Sequence, residues 1–208
     1  MTFMDEKIAA LKQAKRVLQQ DDEKQKKEEE IKVDEKIEMS LDEVIECIAG
    51  GYLEIEDRKF YFKRETYLDG KISIPMIENY FEEVAKDDTN LVFKKETEGV
   101  TFVCSYIKEN ILSMTFDSFK EGMQKKFKDM DLYLEWIDEG EINKEDTLLN
   151  YGIFKTPTAK GYIYNVIFFS KDNLNTQMMI GNFNCFYKDI NIWEKVIKGM
   201  IHLIEIKL

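Results

Sequence analysis

The sequence contains very little histidine, cysteine and proline. Of its 208 residues, one is histidine, three are cysteine and two are proline. Cys47, Cys104 and Cys185 are odd in number and widely spaced, and none belongs to a CxxC pair. This pattern argues against both a disulfide framework and a zinc site. Any catalytic arrangement that needs an imidazole would have to use His202, which falls in a stretch with an apolar helical period. We therefore expect a protein that is not an enzyme and has no cofactor.

Long apolar runs are also missing. The residues from Met1 to Leu18 alternate polar with apolar and lack the unbroken apolar stretch of a signal peptide or a membrane span. We therefore expect a cytoplasmic protein without a membrane-spanning segment.

Acidic side chains outnumber basic ones by 41 to 30, which gives a formal net charge of −11. A surface field of this sign repels phosphate backbones, so nucleic acid is not an expected partner, and it attracts cationic partners. Because many proteins are acidic only for solubility, the net charge by itself identifies no partner.

The charges are densest near the N-terminus. Between Asp21 and Lys36, thirteen of sixteen residues are charged, with both signs mixed, and such a segment cannot form a core. We therefore divide the chain into a charged helical extension at residues 1–39 and a folded domain at residues 40–208.

Apolar residues just before the charged run indicate a helix in the extension. Ile8, Leu11 and Leu18 fall at roughly heptad spacing, which predicts a helix over about residues 5–30. One interpretation is a solvated single helix or a frayed tail. The other is a short coiled coil or a docking helix, through which the protein would form a homodimer or bind a partner.

Capping and turn signals divide the folded domain into helices and strands. Ser40 begins an S-x-x-E capping box, and Gly50-Gly51 ends the short helix that follows. Asp69-Gly70 and Glu98-Gly99 each lie between stretches with a period of two, which predicts two β-hairpins. We expect Pro75 to end the second strand of the first hairpin.

Helical spacing predicts three more helices, over Met76 to Ala85, from Phe116 to Met130, and from about Ile190 to Ile206. The remaining apolar stretches predict four strands: Leu132 to Ile137, Leu148 to Phe154, Tyr162 to Phe169, and Gln177 to Phe186. About seven strands joined mainly by turns predict an α+β fold with a largely antiparallel twisted sheet and helices packed on it.

Three asparagines in the last hairpin form a candidate binding site. If that hairpin closes tightly, Asn165 and Asn182 share a face of the sheet, and Asn184 lies two residues further along it. Amides among apolar residues normally satisfy nearby backbone groups, so one interpretation is structural. The other is a polar binding site for a peptide at the edge or face of the sheet.

The last hairpin and the closing helix also carry a recognisable set of residues. They are Gly161-Tyr162-Ile163-Tyr164-Asn165, Phe168-Phe169, Met179-Ile180-Gly181-Asn182-Phe183-Asn184-Cys185, and Trp193. With the order of elements from Arg58 to Leu208, this set resembles the PsbP-like superfamily. That superfamily includes nuclear-transport cofactors, photosystem subunits, bacterial lipoproteins and the Eag-type chaperones of secreted toxins. The resemblance implies a twisted antiparallel sheet with helices on both sides and a role in binding rather than catalysis.

Three functions follow as alternatives. The leading hypothesis is a non-enzymatic protein-binding module with another polypeptide as its partner, as in a cytoplasmic chaperone or accessory factor for a secreted bacterial toxin. The second is an immunity protein whose acidic surface inhibits a cationic toxin. The third is a hydrolase or transferase that uses Cys185 or His202 in a cleft.

Overall fold

The structure is a computed structural model that describes residues 39–108, 114–144, 147–159, 161–174 and 176–208. The helix expected over residues 5–30, and all but the last residue of the extension at 1–39, lie outside the described residues. None of the helices within the described ranges is long and apolar enough to cross a membrane.

Four strands form a small antiparallel sheet in the order β1-β2-β3-β11. They are β1 (Tyr52–Ile55), β2 (Arg58–Tyr67), β3 (Ile72–Ile77) and β11 (Glu205–Ile206). The expected β2–β3 hairpin is confirmed. Its turn passes through Asp69 and Gly70, whose φ angles of 52° and 82° lie in the left-handed region that glycine and aspartate tolerate.

Seven strands form a larger antiparallel sheet in the order β4-β5-β6-β10-β9-β8-β7. They are β4 (Glu82–Lys86), β5 (Asn90–Lys95), β6 (Val100–Ile107), β7 (Glu135–Asn143), β8 (Leu148–Thr158), β9 (Gly161–Lys171) and β10 (Met178–Phe186). The predicted β5–β6 and β9–β10 hairpins are both confirmed, and the fold is α+β.

In the part of the chain that the structure describes, three helices pack on these sheets: α1 (Leu41–Ala49), α2 (Phe116–Asp129) and α3 (Ile190–His202), the last preceded by a short 3₁₀ turn. The expected capping box starts α1. The backbone N–H of Glu43 donates to Ser40 Oγ at 3.3 Å, and the N–H of Ser40 donates to Glu43 Oε2 at 2.8 Å. Two donors that the start of a helix leaves without partners are thereby satisfied.

Helix α3 connects the two sheets. It packs on α1 and contacts β3 of the small sheet and β9 and β10 of the large one. Its expected apolar face is confirmed, because the following side chains are all buried: Trp193, Val196, Ile197, Met200 and Ile201. The rings of Phe60 and Trp193 meet at 5.6 Å between centroids, and Arg58 forms an ion pair with Glu98 at 2.5 Å. These contacts hold β2 against α3 and against the turn before β6.

The predicted helix from Met76 to Ala85 is wrong. These residues complete β3, turn through Asn79, which has a φ of 53°, and then form β4. Apolar residues three and four apart, such as Ile77 and Phe81, therefore belong to a strand and the loop that follows it. A short stretch of helical spacing does not distinguish these possibilities.

Pro75 does not end β3, contrary to the expectation. It lies inside the strand opposite Arg64 of β2, and the strand continues to Ile77. On its other side, β3 is paired with β11 only at Ile72 and Ser73. The edge near Pro75 is therefore open, and an open edge is where a sheet tolerates proline.

The sequence predicts fewer strands than the structure contains. Within the described residues there are eleven strands in two sheets, three more than the two hairpins and four further strands that the sequence predicts. The strands it misses, β1, β4 and β11, are short, and every residue of β4 is exposed. Strands of two to five residues are too short for a two-residue apolar period to be recognised with certainty in the sequence. The expected strand Leu132–Ile137 starts later, at Glu135, and the last helix ends at His202 because residues 205 and 206 form β11.

Candidate functional site

The strands of the large sheet differ in whether one or both of their faces are buried. From Val100 to Ile107 in β6, and from Met179 to Phe186 in β10, buried residues alternate with partly exposed ones. In β9, seven consecutive residues from Tyr164 to Ser170 are all buried. Because side chains of a strand alternate between faces, β6 and β10 are buried on one face and β9 on both.

Helix α2 accounts for this difference. Its rings contact β7, β8 and β9 at centroid distances of 6.1 to 6.4 Å, in the pairs Phe116–Trp136, Phe119–Phe169 and Phe127–Phe154. A helix is about 10 Å wide and strands lie about 4.8 Å apart, so one helix covers two or three strands. The ring contacts of α2 do not extend to β10, β6 and β5. The side chains of these three strands on the same face therefore remain partly exposed.

Nine side chains make up this uncovered area, which we call the open face. They form three rows, each crossing β10, β6 and β5 in register: Ile180, Ser105 and Asn90; Asn182, Val103 and Val92; Asn184, Thr101 and Lys94. Asn90 is exposed and the other eight are partly exposed. From strand spacing and rise, the open face is roughly 10 Å across and roughly 14 Å long.

The strand register places the three asparagines of the candidate site on this side of the sheet. Asn184 of β10 lies directly opposite Asn165 of β9, and Asn182 lies two residues before Asn184. The amide of Asn182 donates to Asn165 Oδ1 at 3.4 Å. The amide of Asn165 donates to Ile163 O at 3.3 Å and to Thr156 Oγ1 at 3.4 Å. Asn182 and Asn184 therefore belong to the open face, and Asn165 lies directly beside it on β9.

Asn165 differs from the other two asparagines. It is 7% exposed and its amide is satisfied locally, as the structural interpretation expects. The side-chain oxygen of Asn182 is buried but accepts no hydrogen bond from any described residue. Leaving a buried acceptor unsatisfied is unfavourable by about 1–3 kcal/mol. A donor brought by a ligand to Asn182 would therefore relieve that penalty.

The open face carries almost no charge. Lys94 is its one ionised side chain, and Glu96 accepts a hydrogen bond from it at 2.8 Å, which raises the pKa of Lys94. Ser105 Oγ donates to Asn90 Oδ1 at 2.9 Å. Of the whole chain, 34% is charged, so a surface with one charge among nine side chains is unusual for this protein. Its three aliphatic side chains and its amides and hydroxyls suit apolar contact combined with neutral hydrogen bonds.

Comparison with solved structures identifies similar folds. The solution structure of cyanobacterial PsbP (CyanoP) from Synechocystis sp. PCC 6803 has a TM-score of 0.56 and 8% identity, over 70% of this chain and 92% of that chain. The crystal structure of the Saccharomyces cerevisiae Ran-binding protein Mog1p has a TM-score of 0.50 and 9% identity, over 71% and 96%. This chain has the PsbP/Mog1-like fold. No model of a protein family matches its sequence, and no similar curated protein is found.

The PsbP/Mog1-like fold confirms the resemblance carried by the last hairpin and helix. It also confirms the expected arrangement of helices on both faces of an antiparallel sheet. Helix α2 lies on the side of Phe169, whereas α3 lies on the other side, where Lys198 is 3.9 Å from Asp138. At identities of 8% and 9%, this likeness concerns the fold alone.

Cys185, which the third hypothesis makes a catalytic residue, lies with Cys104 on the opposite face of this PsbP/Mog1-like sheet. Cys104 and Cys185 alternate with residues of the open face, and both are completely buried. Burial raises the pKa of Cys185 to about 12 and also raises the pKa of Cys104. A thiol with a raised pKa forms little thiolate at neutral pH, which weakens it as a nucleophile. Cys47, on α1, is only partly buried.

His202 is the last residue of α3. Burial, reinforced by the charge of Lys144, lowers the pKa of His202. Within the described residues, no three histidine, cysteine, aspartate or glutamate side chains lie close enough to hold a metal ion.

Sequence reasoning missed the part of the open face contributed by β5 and β6. The alternation between residues 100 and 106 does group Thr101, Val103 and Ser105 on one face of a strand. It does not reveal that Val103 pairs with Asn182 of β10, far along the chain. A signal for this surface was therefore present, but its position beside the asparagines depends on long-range strand pairing.

Proposed function

We propose that this protein is a non-enzymatic protein-binding module whose open face receives an amphipathic helix of another polypeptide. The observation that carries this proposal is the nearly uncharged surface of nine side chains beside α2 in a chain that is 34% charged. Cores of protein interfaces are depleted in charged residues in the same way.

Strand pairing favours a helix over a strand as the bound segment. β5, β6 and β10 each have a neighbouring strand on both sides, so their backbone hydrogen-bonding groups are engaged within the sheet. A ligand on the open face must therefore pack side chains against it, and a helix of about 10–12 Å diameter matches its width. Helix α2 already packs on this side of the sheet through Phe119 and Phe127. The bound helix would lie beside it.

Asn182 gives this surface selectivity. A bound helix that carries a hydrogen-bond donor at the right position would satisfy the free oxygen of Asn182, whereas a purely apolar helix would leave it buried and unpaired. The free energy of binding should therefore favour a helix with such a donor over one without it by about 1–3 kcal/mol.

The fold supports this class of function without naming the partner. The yeast protein with the same fold is described as Ran-binding, so one protein with this architecture has a polypeptide partner. Within the class, we propose a cytoplasmic chaperone or accessory factor for a secreted toxin. This finer proposal is supported by the resemblance to the superfamily that includes toxin chaperones.

An immunity protein is the second candidate. The net charge of −11 and the four carboxylates of β7 favour encounter with a cationic toxin. A chaperone binds the export segment of a toxin, whereas an inhibitor binds its catalytic domain and abolishes its activity. Pull-downs with each toxin fragment, together with a toxin activity assay, separate the two.

A charge placed in the centre of the open face tests the general proposal. Val103 is partly exposed, so Val103→Glu should fold while disrupting apolar contact with a partner. The matched control is Tyr61→Glu on β2, at a side chain that is 56% exposed. We expect the tagged full-length chain to copurify with a polypeptide from its native cells, and V103E to lose it while Y61E keeps it. Retention by V103E, equal loss in both variants, or repeated failure to recover a partner contradicts the proposal.

A further inference from the structure

The edge strand β7 is a second surface of the large sheet that has no partner among the described residues. It spans nine residues, Glu135–Asn143, whereas β4 at the other edge has five. The outer strands of the small sheet, β1 and β11, have four and two. Among the described strands that lie at a sheet edge, β7 thus presents the longest row of backbone groups available to an added strand.

The charge of β7 has one sign. Four of its nine residues are carboxylates, Glu135, Asp138, Glu139 and Glu141, and none is basic. Edge strands are often protected from pairing by lysine, and β4 does carry Lys86 beside its glutamates. β7 lacks such a lysine. An incoming strand would therefore meet a uniformly acidic edge, which repels acidic segments and favours basic ones.

Two of these carboxylates remain available to a partner. Glu135 is paired with Lys155 at 2.9 Å, and Glu139 is paired with Lys120. Asp138 is 51% exposed at its side chain; its Oδ1 accepts a hydrogen bond from the backbone N–H of Glu139 at 2.9 Å, and its Oδ2 lies 3.9 Å from Lys198, the outer limit of an ion pair. Glu141 is exposed and has no ion-pair partner among the described residues.

The register places these two charges on opposite faces of the sheet. Glu141 pairs with Asn150 of β8, on the side of α2, whereas Asp138 pairs with Ile153 on the other side. A bulge interrupts pairing between Trp136 and Asp138, and from there to Asn143 the register is regular. Six regular residues extend about 20 Å, enough for a stable strand pair.

Apolar side chains accompany the acidic edge. Ile137, in the bulge, is 45% exposed, and Leu148, opposite the last residue of β7, is 40% exposed. Tyr133, just before the strand, is 59% exposed. A partner segment with both basic and apolar residues is therefore better matched to this edge than a purely polar one.

We propose that β7 binds an extended polypeptide segment, with lysine or arginine at every third position among apolar residues, as an eighth strand of the large sheet. Basic side chains would lie across from Asp138 and Glu141, and the backbone of the segment would pair with the free edge. Cross-strand pairs of opposite charge form in this way in ordinary sheets. This inference depends on the proposed function only in that the partner is a polypeptide, since it concerns a different surface from the open face.

The test uses the full-length chain and a synthetic nonapeptide that has lysine at its first, fourth and seventh positions and valine elsewhere, so that neighbouring lysines lie on opposite faces of the strand. Two control peptides accompany it: one with glutamate in place of lysine, and one with proline in place of the central valine. The proline peptide keeps the charge but loses a backbone donor and disfavours pairing. Binding is measured by fluorescence anisotropy at about 0.15 M salt, where the Debye length is about 8 Å. Hydrogen exchange of the β7 amides provides a second readout.

We expect the lysine–valine peptide to bind and to slow exchange of the β7 amides. The proline peptide should bind at least about tenfold more weakly, and the glutamate peptide should not bind. The double substitution Asp138→Lys and Glu141→Lys should weaken binding roughly tenfold. The matched double substitution Glu82→Lys and Glu83→Lys, which makes the same charge change on β4, should leave affinity within about twofold.

Three results would overturn the proposal: absence of binding, equal affinity of the proline peptide, or equal losses from the β7 and β4 substitutions. The last two would mean that net charge alone attracts the peptide. Val103→Glu should leave peptide binding unchanged, because the open face is not involved. A negative result at β7 therefore leaves the proposed function standing, and a negative result with V103E leaves the β7 proposal standing.

Discussion

The ring of Phe168 on β9 lies against the backbone of Gly181, the residue directly opposite on β10. A Cβ atom built at Gly181 would collide with this ring, which is completely buried. Glycine is required here by the close approach of the ring and not by an unusual backbone angle. The contact lies on the core side of the sheet, directly behind the open face, and it holds β9 and β10 in the register that aligns the asparagines.

Gly181→Ala should destabilise the protein. Because the ring cannot move without disturbing a packed core, we expect a loss of about 1–3 kcal/mol in the free energy of unfolding, measured by urea denaturation. Gly122→Ala is the matched control, since Gly122 is exposed in α2 and a Cβ there would meet nothing within 4 Å. That variant should gain about 0.5–1 kcal/mol from higher helix propensity. Equal effects of the two variants would contradict this account of Gly181.

Protonation of His202 should destabilise the fold. Burial and the charge of Lys144 lower its pKa from an ordinary value of 6.5, while Asp42 acts weakly in the opposite direction. As pH falls below 6.5, the unfolded state takes up the proton before the folded state. Stability should therefore be full above this pH and decline below it, by at most about 1.4 kcal/mol per pH unit.

Substitution of the histidine isolates its contribution to this pH dependence. Between about pH 6.5 and 5.5 few carboxylates titrate, so His202→Gln should flatten the decline in that window. Urea denaturation of both proteins at several pH values provides the measurement. An unchanged slope in H202Q would assign the effect to other groups.

The three cysteines should differ in reactivity. Cys104 and Cys185 are completely buried, with raised thiol pKa values, whereas Cys47 is partly exposed on α1. In the folded protein, a thiol reagent at pH 8 should modify Cys47 first, and the other two should react only after unfolding. Mass spectrometry of partly labelled protein identifies the modified site. Early labelling of Cys185 would instead indicate that its thiol is reactive in the folded protein.

The extension should be dispensable for folding. Ser40 and Glu43 form the cap of α1, and both remain when residues 1–39 are deleted. The protein that comprises residues 40–208 should therefore unfold in one cooperative transition, followed by circular dichroism in urea. A broad, non-cooperative transition would show that the predicted domain boundary is wrong.

Local signals in the sequence predict local structure in this protein. The capping box at Ser40 and the turn at Asp69-Gly70 act over a few residues, and both were predicted correctly. The misassigned stretch around Asn79 shows the limit, because two strands and a loop reproduced helical spacing there. In such short elements the tertiary context outweighs the local pattern.

The candidate site was predictable only in part. The hairpin closed by β9 and β10 places Asn165 and Asn184 opposite each other, a relation set by residues close in sequence. The rest of the open face requires β6 to pair with β10, and it requires α2 to cover β9 while leaving Val103 and Asn182 partly exposed. Neither the β6–β10 pairing nor the position of α2 can be predicted from a local period, because both depend on how distant elements pack.

Site-specific photocrosslinking tests most directly whether the open face binds another polypeptide. A photoreactive side chain in place of Ile180, in the first row of the open face, should crosslink in native cells to a segment with apolar residues three and four apart. The same group in place of Tyr61, on the exposed side of β2, should not crosslink to that segment. If Ile180 gives no polypeptide adduct, only an adduct between two copies of this chain, or the same adducts as Tyr61, the account is contradicted.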